Sequence, residues 1–149
     1  MLKNNPKELL QKFGPLLALL LIAVIITIIN PSFMTTTNIL NVLRQVSISA
    51  LIAFGMTFVI LTGGIDLSVG STLALTGAIA ASMLASGFDP ILTILAALLL
   101  GAILGAINGV IIAKGKVAPF IATLATMTIY RGLTLVYTEG RPVSGLGDS

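Results

Sequence analysis

Five long apolar stretches fill most of this chain, and a short glycine-rich segment with one acidic residue separates two of them. That segment comprises residues 63–71 and contains Asp66. Apolar stretches of about 20 residues are long enough to cross a bilayer as helices. Irregular backbone and charged side chains are tolerated at membrane depth only against protein or water. The sequence therefore predicts a membrane protein in which residues 63–71 do more than span the lipid.

Composition supports the membrane assignment and excludes several kinds of chemistry. Of the 149 residues, 56% are hydrophobic and 9% are charged, whereas soluble domains contain about 25% charged residues. The net charge of +3 comes from basic residues scattered at the ends of the stretches, and nucleic-acid binding would need a clustered patch. Without Cys or His, and with five dispersed acidic residues, we expect no catalysis, no cofactor, no metal site and no nucleic-acid partner.

The fold class predicted from these stretches is all-α, a polytopic transmembrane helix bundle with about five spans. The first stretch is longer than a signal-peptide core and ends at Asn30-Pro31 without a nearby cleavage site, so we interpret it as a retained helix. Residues 38–46 carry apolar side chains at helical spacing and predict an interfacial helix that leads into the second span. The predicted spans cover residues 13–29, 46–62, 68–86, 91–113 and 117–137.

Basic residues orient these spans, because cytoplasmic loops carry an excess of Lys and Arg. A cytoplasmic N-terminus places five basic residues inside and two outside, namely Lys3, Lys7, Lys12, Lys114 and Lys116 against Arg44 and Arg141. Residues 63–71 then lie toward the cytoplasmic side. They either form a surface loop there or dip into the bilayer between half-helices, and the sequence leaves both arrangements open.

Small residues recur at intervals of four along the fourth span, at Gly101, Gly105 and Gly109. Helices associate in lipid through close backbone approach, and small residues at this spacing are typical of the contact. We therefore predict that these glycines pack the fourth span tightly, with the third span as its neighbour. The alternative is that Gly is simply common in membrane helices.

Asp66 and its neighbours Gly63, Gly64 and Ser68 are candidates for a gate or coupling element that lines a water-filled path. An alternative role is structural, since Asp66 or Ser68 could accept N–H groups at the start of the third span. The two roles are compatible, and the sequence does not separate them.

Other polar residues inside the spans are further candidates for the path. Asn108 lies among the glycines of the fourth span, where it either hydrogen-bonds another helix or faces a polar solute. Thr123, Thr126 and Tyr130 follow one another at steps of three or four and form a polar stripe on the fifth span. Such hydroxyl groups either bond back to their own helix or line a route for a sugar.

Several blocks of the chain, in the same order, resemble the membrane permeases of bacterial ABC sugar importers, the group that handles ribose, xylose, arabinose and galactose. The blocks are residues 63–71, 105–124, 131–132 and 137–140. The resemblance extends from about residue 31 onward and is strongest toward ribose permeases. Family members are considerably longer, so the chain is similar to the N-terminal half of such a permease, with residues 1–149 forming part of its transmembrane domain.

The resemblance implies a component of the translocation path of an ATP-driven monosaccharide importer, with ribose as the favoured sugar. It also implies a multi-pass location in the bacterial inner membrane. The implied partners are a cytoplasmic ABC ATPase, an extracytoplasmic sugar-binding protein, a second permease subunit in a homodimer, and the lipid bilayer. The permease itself is expected not to be an enzyme, because ATP is hydrolysed in the ATPase subunit.

Two other classes of function remain open at this stage. An ion-coupled secondary transporter or channel subunit would use Asp66 as its ion site. Against this, Asp66 is the single acidic residue that lies well within the apolar region, and no partner acid accompanies it. A small structural membrane protein that only assembles with others is the third class.

Overall fold

The structure, a computed structural model, describes residues 6–144, with side chains from residue 13 onward. It is all helical within that range, which confirms the predicted fold class. The elements are α1 (Pro6–Ile29), a 3₁₀ turn (Pro31–Met34), α2 (Thr36–Leu61), α3 (Val69–Ala85), α4 (Pro90–Ala113) and α5 (Pro119–Tyr137). Lys3, Lys7 and Lys12, on which the predicted orientation partly rests, lie outside the described side chains.

Three helices, α2, α4 and α5, are long and apolar enough to cross a membrane. The helix α1 has 24 residues, of which Phe13–Ile29 have described side chains. The helix α3, Val69–Ala85, is shorter. The 17 residues of α3 extend about 25 Å, less than the roughly 30 Å of a hydrocarbon core. By this length α3 is too short to cross such a core from one surface to the other.

The chain divides into two compact units, and the first ends at Leu51. Within it, two asparagines fix the turn that follows α1. Oδ1 of Asn30 accepts from the N–H of Ser32 at 3.1 Å, and Nδ2 of Asn38 donates to the carbonyl of Phe33 at 2.7 Å. The predicted interfacial helix is not a separate element, because α2 runs without a break from Thr36 to Leu61 and contains no proline.

The second unit begins at Ile52, and α3 is its central helix. It contacts both α4 and α5, which contact each other less. The core consists of Leu75, Leu104 and Tyr130, against which Ile79 and Leu100 pack. Most other large apolar side chains of this unit are exposed, as expected for helices whose remaining surface meets lipid or further protein.

The α3–α4 contact does not use the glycines of α4 in the way that we predicted. A Cβ added at Gly105 or Gly109 would meet no heavy atom within 4 Å, and one at Gly101 would meet only Cγ2 of Thr76, at 3.9 Å. The buried residues of α4 include Leu104 and Asn108. Gly105 and Gly109 each follow one of these by a single position, which is about 100° around the helix. They therefore lie beside the contact with α3, and a packing role for them stays a prediction that concerns other surfaces.

Candidate functional site

The segment between α2 and α3 is recessed among the helices of the second unit. Oγ1 of Thr123 donates to the carbonyl of Ile65 at 3.2 Å, and Nδ2 of Asn108 donates to Oγ of Ser68 at 2.7 Å. Thr123 lies one turn inside the start of α5, and Asn108 lies five residues before the end of α4. These positions place the segment about 6–7.5 Å inside those helix ends. Of the two arrangements that the sequence left open, the one between half-helices does not describe α2, which has 26 residues, and the depth of the segment in the membrane stays a prediction.

Two glycines end α2 and direct the chain into this recess. The N–H of Gly63 donates to the carbonyl of Ile60, and the N–H of Gly64 donates to the carbonyl of Val59, both at 2.9 Å. This pair of bonds is a Schellman motif, in which the first residue beyond the cap adopts a left-handed conformation. Gly63 has a φ of +75°, which a residue with a side chain rarely adopts.

Asp66 holds the turn that leads into α3 and accepts an N–H group from Ser68, where the third span was predicted to begin. Its Oδ1 accepts from the backbone N–H of Ser68 at 2.8 Å and from Oγ of Ser68 at 2.6 Å. Because α3 begins at Val69, that N–H belongs to the residue before the helix, and the interaction is an Asx turn. The hydroxyl of Ser68 makes no bond to the N-terminal N–H groups of α3, so of the two acceptors that the sequence offered, Asp66 is the one that accepts an N–H group here.

A directed chain of hydrogen bonds connects α4 to this turn. Asn108 donates to the hydroxyl of Ser68, and Ser68 donates to Asp66. Ser68 is 1% exposed and Asn108 is 5% exposed. The amide of Asn108 thus makes the contact between helical segments that was one of its two predicted roles. Its carbonyl oxygen Oδ1 is buried and has no hydrogen-bond partner among the described residues.

The polar stripe of α5 divides between the recess and the helix contacts. Thr123 reaches the recess through Ile65 and also donates to the carbonyl of Pro119 at 2.8 Å. Thr126 bonds back to its own helix at 3.2 Å and 3.3 Å. The hydroxyl of Tyr130 donates to the carbonyl of Leu104 at 3.1 Å. Thr126 and Tyr130 are buried between helices, so in this chain they are positioned for packing.

A cavity of about 410 Å³ lies beside the recessed segment, within the range of small-molecule sites. Its wall contains a carboxylate, an amide and two threonine hydroxyls together with apolar side chains. Its walls are formed by Val59, Thr62, Gly63, Gly64, Ile65, Asp66, Gly105, Asn108, Gly109, Ile112, Ala113, Pro119 and Thr123.

Five of the predicted path residues border this cavity, namely Gly63, Gly64, Asp66, Asn108 and Thr123. Ser68 is linked to it through hydrogen bonds, whereas Thr126 and Tyr130 are not part of its wall. The sequence analysis missed Thr62 as a wall residue, and it assigned Gly105 and Gly109 to packing alone. Their lack of a side chain leaves the space open on the α4 side. Among the described residues, no group of three or more acidic side chains is arranged to hold a metal ion.

The known proteins that this chain is similar to are all described as permeases or permease components. The family described as the permease component of branched-chain amino acid transport systems matches residues 38–145. The ribose import permease protein RbsC of Bacillus subtilis is 63% identical over 138 residues, which cover 93% of this chain and 43% of that protein. RbsC of Haemophilus influenzae is 59% identical over 134 residues, or 89% of this chain and 42% of the relative.

A relative whose name specifies a different sugar is also similar. The D-allose transport system permease protein AlsC of Escherichia coli is 42% identical over 137 residues, covering 91% of this chain and 42% of AlsC. The chain thus spans less than half the length of the curated relatives that it matches. No solved structure matches the chain.

Proposed function

Because the chain belongs to the family of permease components described for branched-chain amino acid transport systems, we propose that it forms part of the translocation path of an ATP-driven monosaccharide importer. Ribose is the favoured sugar, since the ribose import permeases of two bacteria are 59–63% identical to this chain. The chain corresponds in this proposal to the N-terminal half of a multi-pass permease of the bacterial inner membrane. Residues 1–149 are then part of one transmembrane domain.

The observation that carries the proposal is the recessed segment with Asp66 beside an open cavity. A sugar that crosses a membrane must exchange its hydrogen bonds with water for hydrogen bonds with protein, because unpaired polar groups are costly in an apolar setting. The cavity offers such groups in Asp66, Asn108, Thr62 and Thr123. It also offers apolar surface from Val59, and sugars have C–H faces that need contact of this kind.

The partners of this proposal are those of an ABC importer. An extracytoplasmic binding protein delivers the sugar, a cytoplasmic ABC ATPase supplies the energy, and a second permease subunit completes the path. The permease hydrolyses nothing in this scheme. Residues 62–68 connect α2, which ends at two glycines, to the short α3. We propose that the path opens and closes at this corner.

The proposal is tested by uptake of labelled ribose in cells that lack their own ribose permease. The full-length permease that contains this chain is expressed together with its ATPase and its binding protein. We expect uptake that disappears when the ATPase is inactivated by mutation of its nucleotide site. Uptake that survives this mutation and follows an ion gradient would contradict the proposal and would support an ion-coupled transporter that uses Asp66.

A further inference from the structure

Arg131 is a charged residue within a helix that is long and apolar enough to cross a membrane. It lies on α5, twelve residues after the first residue of that helix and six before the last, or about 18 Å and 9 Å from its two ends. Its side chain is exposed. Charged side chains at membrane depth face protein or water, and they are usually paired. Arg131 therefore needs surroundings that compensate its charge.

The described part of the chain does not provide a partner of opposite charge. Acidic residues with described side chains occur at positions 66, 89 and 139. Asp66 accepts from Ser68, and Asp89 accepts from N–H groups at the start of α4. Glu139 lies two residues beyond the end of α5. None of the three forms an ion pair with Arg131 within the described residues.

The side chain of Arg131 leaves its helix in the direction of the farther end of α5. The Cα–Cβ bond of a helical residue is tilted toward the N-terminus of the helix, so the side chain of Arg131 starts toward Met127, one turn earlier. A cavity of about 320 Å³ agrees with this direction, because Arg131, Met127 and Leu67 border it together. Leu67 lies two residues after Ile65, which bonds to Thr123 near the start of α5. Arg131 thus borders a cavity inside the span.

The α3 side of this cavity is formed by residues with small side chains or none. They are Gly70, Ser71 and Ala74, of which Gly70 and Ala74 are exposed. A Cβ added at Gly70 would meet no heavy atom within 4 Å. Small residues four positions apart permit the close approach of another helix in a membrane. The groove between α3 and α5 is thus open to a further helix, and Arg131 supplies a cation on its α5 side.

We propose that this groove receives a membrane helix from the remaining part of the permease, and that a carboxylate of this helix pairs with Arg131. This inference rests on the proposed function in one respect, namely that the chain is part of a longer permease. The matched part of RbsC from Bacillus subtilis is 43% of that protein, so more than half of such a permease lies outside the match.

Charge and geometry together select this occupant. A guanidinium group stays charged and fits a carboxylate through two parallel hydrogen bonds, and a carboxylate on the incoming helix neutralises it at membrane depth. A span that follows α5 in the same polypeptide starts from the end of α5 that is nearer to Arg131. This favours a helix of the same polypeptide over a helix of a second subunit.

The test exchanges charges in the full-length permease. Arg131→Glu is made first, and in this background each Asp and Glu beyond residue 137 is replaced singly by Lys. Arg141→Glu is the matched control, because Arg141 is exposed beyond the end of α5. The amount of folded permease is measured by size-exclusion chromatography in detergent, and uptake of labelled ribose is recorded alongside.

The expected result is loss and specific recovery of assembly. Arg131→Glu should lower the amount of folded permease at least about 10-fold, because two like charges then meet in the groove. One Lys replacement in the remaining part of the permease should restore the amount to within about twofold, and Arg141→Glu should leave it within the same range. Complete loss of folded Arg131→Glu does not prevent the test, since the recovery by Lys is itself the measurement.

Four results would overturn the inference. Normal folding and uptake of Arg131→Glu would show that the charge has no partner, and recovery by no Lys replacement would show that the partner is not a carboxylate. Recovery only at Glu139 or Asp148 would keep the ion pair within this chain. Labelling of Ala74→Cys by a maleimide, in a full-length permease without other cysteines, would show that water fills the groove.

Co-expression separates the two possible sources of the helix. Two chains that each carry one of the exchanges present matched charges only across the contact between subunits. Recovery by such a mixture would therefore assign the carboxylate to the second subunit and would also contradict the inference, whereas recovery only with both changes in one chain supports it. The proposed function fails separately, through ATP-independent uptake by the complete importer, because the amount of folded permease does not depend on the energy source.

Discussion

Ser68 connects the turn at Asp66 with α4 and α3, through its hydroxyl group and its backbone carbonyl. It donates to Asp66 in the turn and accepts from Asn108 on α4. The backbone carbonyl of Ser68 additionally accepts from Ser71 on α3, at 2.8 Å. With 1% of its surface exposed, Ser68 has no access to water that could replace these bonds. Its loss would leave the buried Nδ2 of Asn108 without an acceptor.

Replacing Ser68 by Ala should therefore destabilise the second unit. The expected cost is about 1–3 kcal/mol, because a buried donor is left unpaired. The measurement is thermal unfolding of the full-length permease in detergent. Ser86→Ala is the matched control, since the hydroxyl of Ser86 is exposed at the other end of α3 and bonds to its own helix. Equal Tm values for the two variants would show that the hydrogen bonds of the Ser68 hydroxyl do not stabilise the fold.

Tyr130 and Tyr137 allow the same comparison between a buried and an exposed hydroxyl group on α5. The hydroxyl of Tyr130 is buried and bonds to the carbonyl of Leu104 on α4, whereas Tyr137 is 48% exposed at the end of the same helix. Tyr130→Phe should cost about 0.6 kcal/mol, the average of hydrogen bonds between membrane helices, and Tyr137→Phe should cost nothing. Thermal unfolding of both variants measures these costs. A larger loss of stability for Tyr137→Phe than for Tyr130→Phe would contradict a stabilising role of the bond between Tyr130 and α4.

The sequence identified most of the residues at the corner but not their bonds to one another. Asp66, Ser68 and Asn108 stand out because polar side chains are rare in apolar spans. Ser68 and Asn108 are 40 positions apart, and no local spacing rule connects residues at that separation. For the same reason the sequence could not separate Thr123, which reaches the cavity, from Thr126, which bonds to its own helix.

The positions of the helices were easier to predict from the sequence than the neighbour that each side of a helix contacts. The predicted spans 91–113 and 117–137 correspond to α4 and α5, which begin at Pro90 and Pro119, where proline is favoured as the first residue of a helix. The predicted interfacial helix and the second span form one continuous helix, because a change from mixed to apolar composition does not by itself end a helix. The spacing of Gly101, Gly105 and Gly109 predicts that they share a face, but it does not say which neighbour that face meets. In the structure, Gly105 and Gly109 lie at the cavity.

Filling the cavity from α4 should block transport while the helices still fold. Gly109→Leu places a side chain where a Cβ meets no atom within 4 Å, so no collision within the described residues is expected. Uptake of labelled ribose should fall at least about 10-fold, with Tm unchanged or slightly raised because leucine is the better helix former.

Ala106→Leu provides the control for that variant. Ala106 is exposed on the same stretch of α4 but does not border the cavity beside residues 62–68. It should therefore retain most of the uptake. A Gly109→Leu permease that transports normally would show that the cavity is not on the path. If Gly109→Leu yields no folded protein while Ala106→Leu does, Gly109 is required for helix packing.

The orientation of the helices determines which side of the membrane residues 62–68 face. Lys114 and Lys116 lie in the connection between α4 and α5, and the turn between α3 and α4, near Ser86, carries no basic residue. The positive-inside rule places the first connection in the cytoplasm and the turn outside. The recess lies near the α4–α5 connection, because residues 62–68 bond to the parts of α4 and α5 closest to it. It would therefore open toward the cytoplasmic side, where the proposed ATPase would bind.

This orientation can be read directly, because the sequence contains no Cys and each introduced thiol is then the single label in this part of the permease. Ser86→Cys and Ala118→Cys substitute exposed residues at opposite ends of α4. In intact cells, a membrane-impermeant maleimide should label Ser86→Cys and should leave Ala118→Cys unlabelled until the membrane is permeabilised. The reverse pattern would place the recess on the outer side, where the binding protein delivers the sugar. Asp66 and Asn108 would then meet the solute at entry, and coupling to ATP hydrolysis would have to reach the corner across the full length of α4.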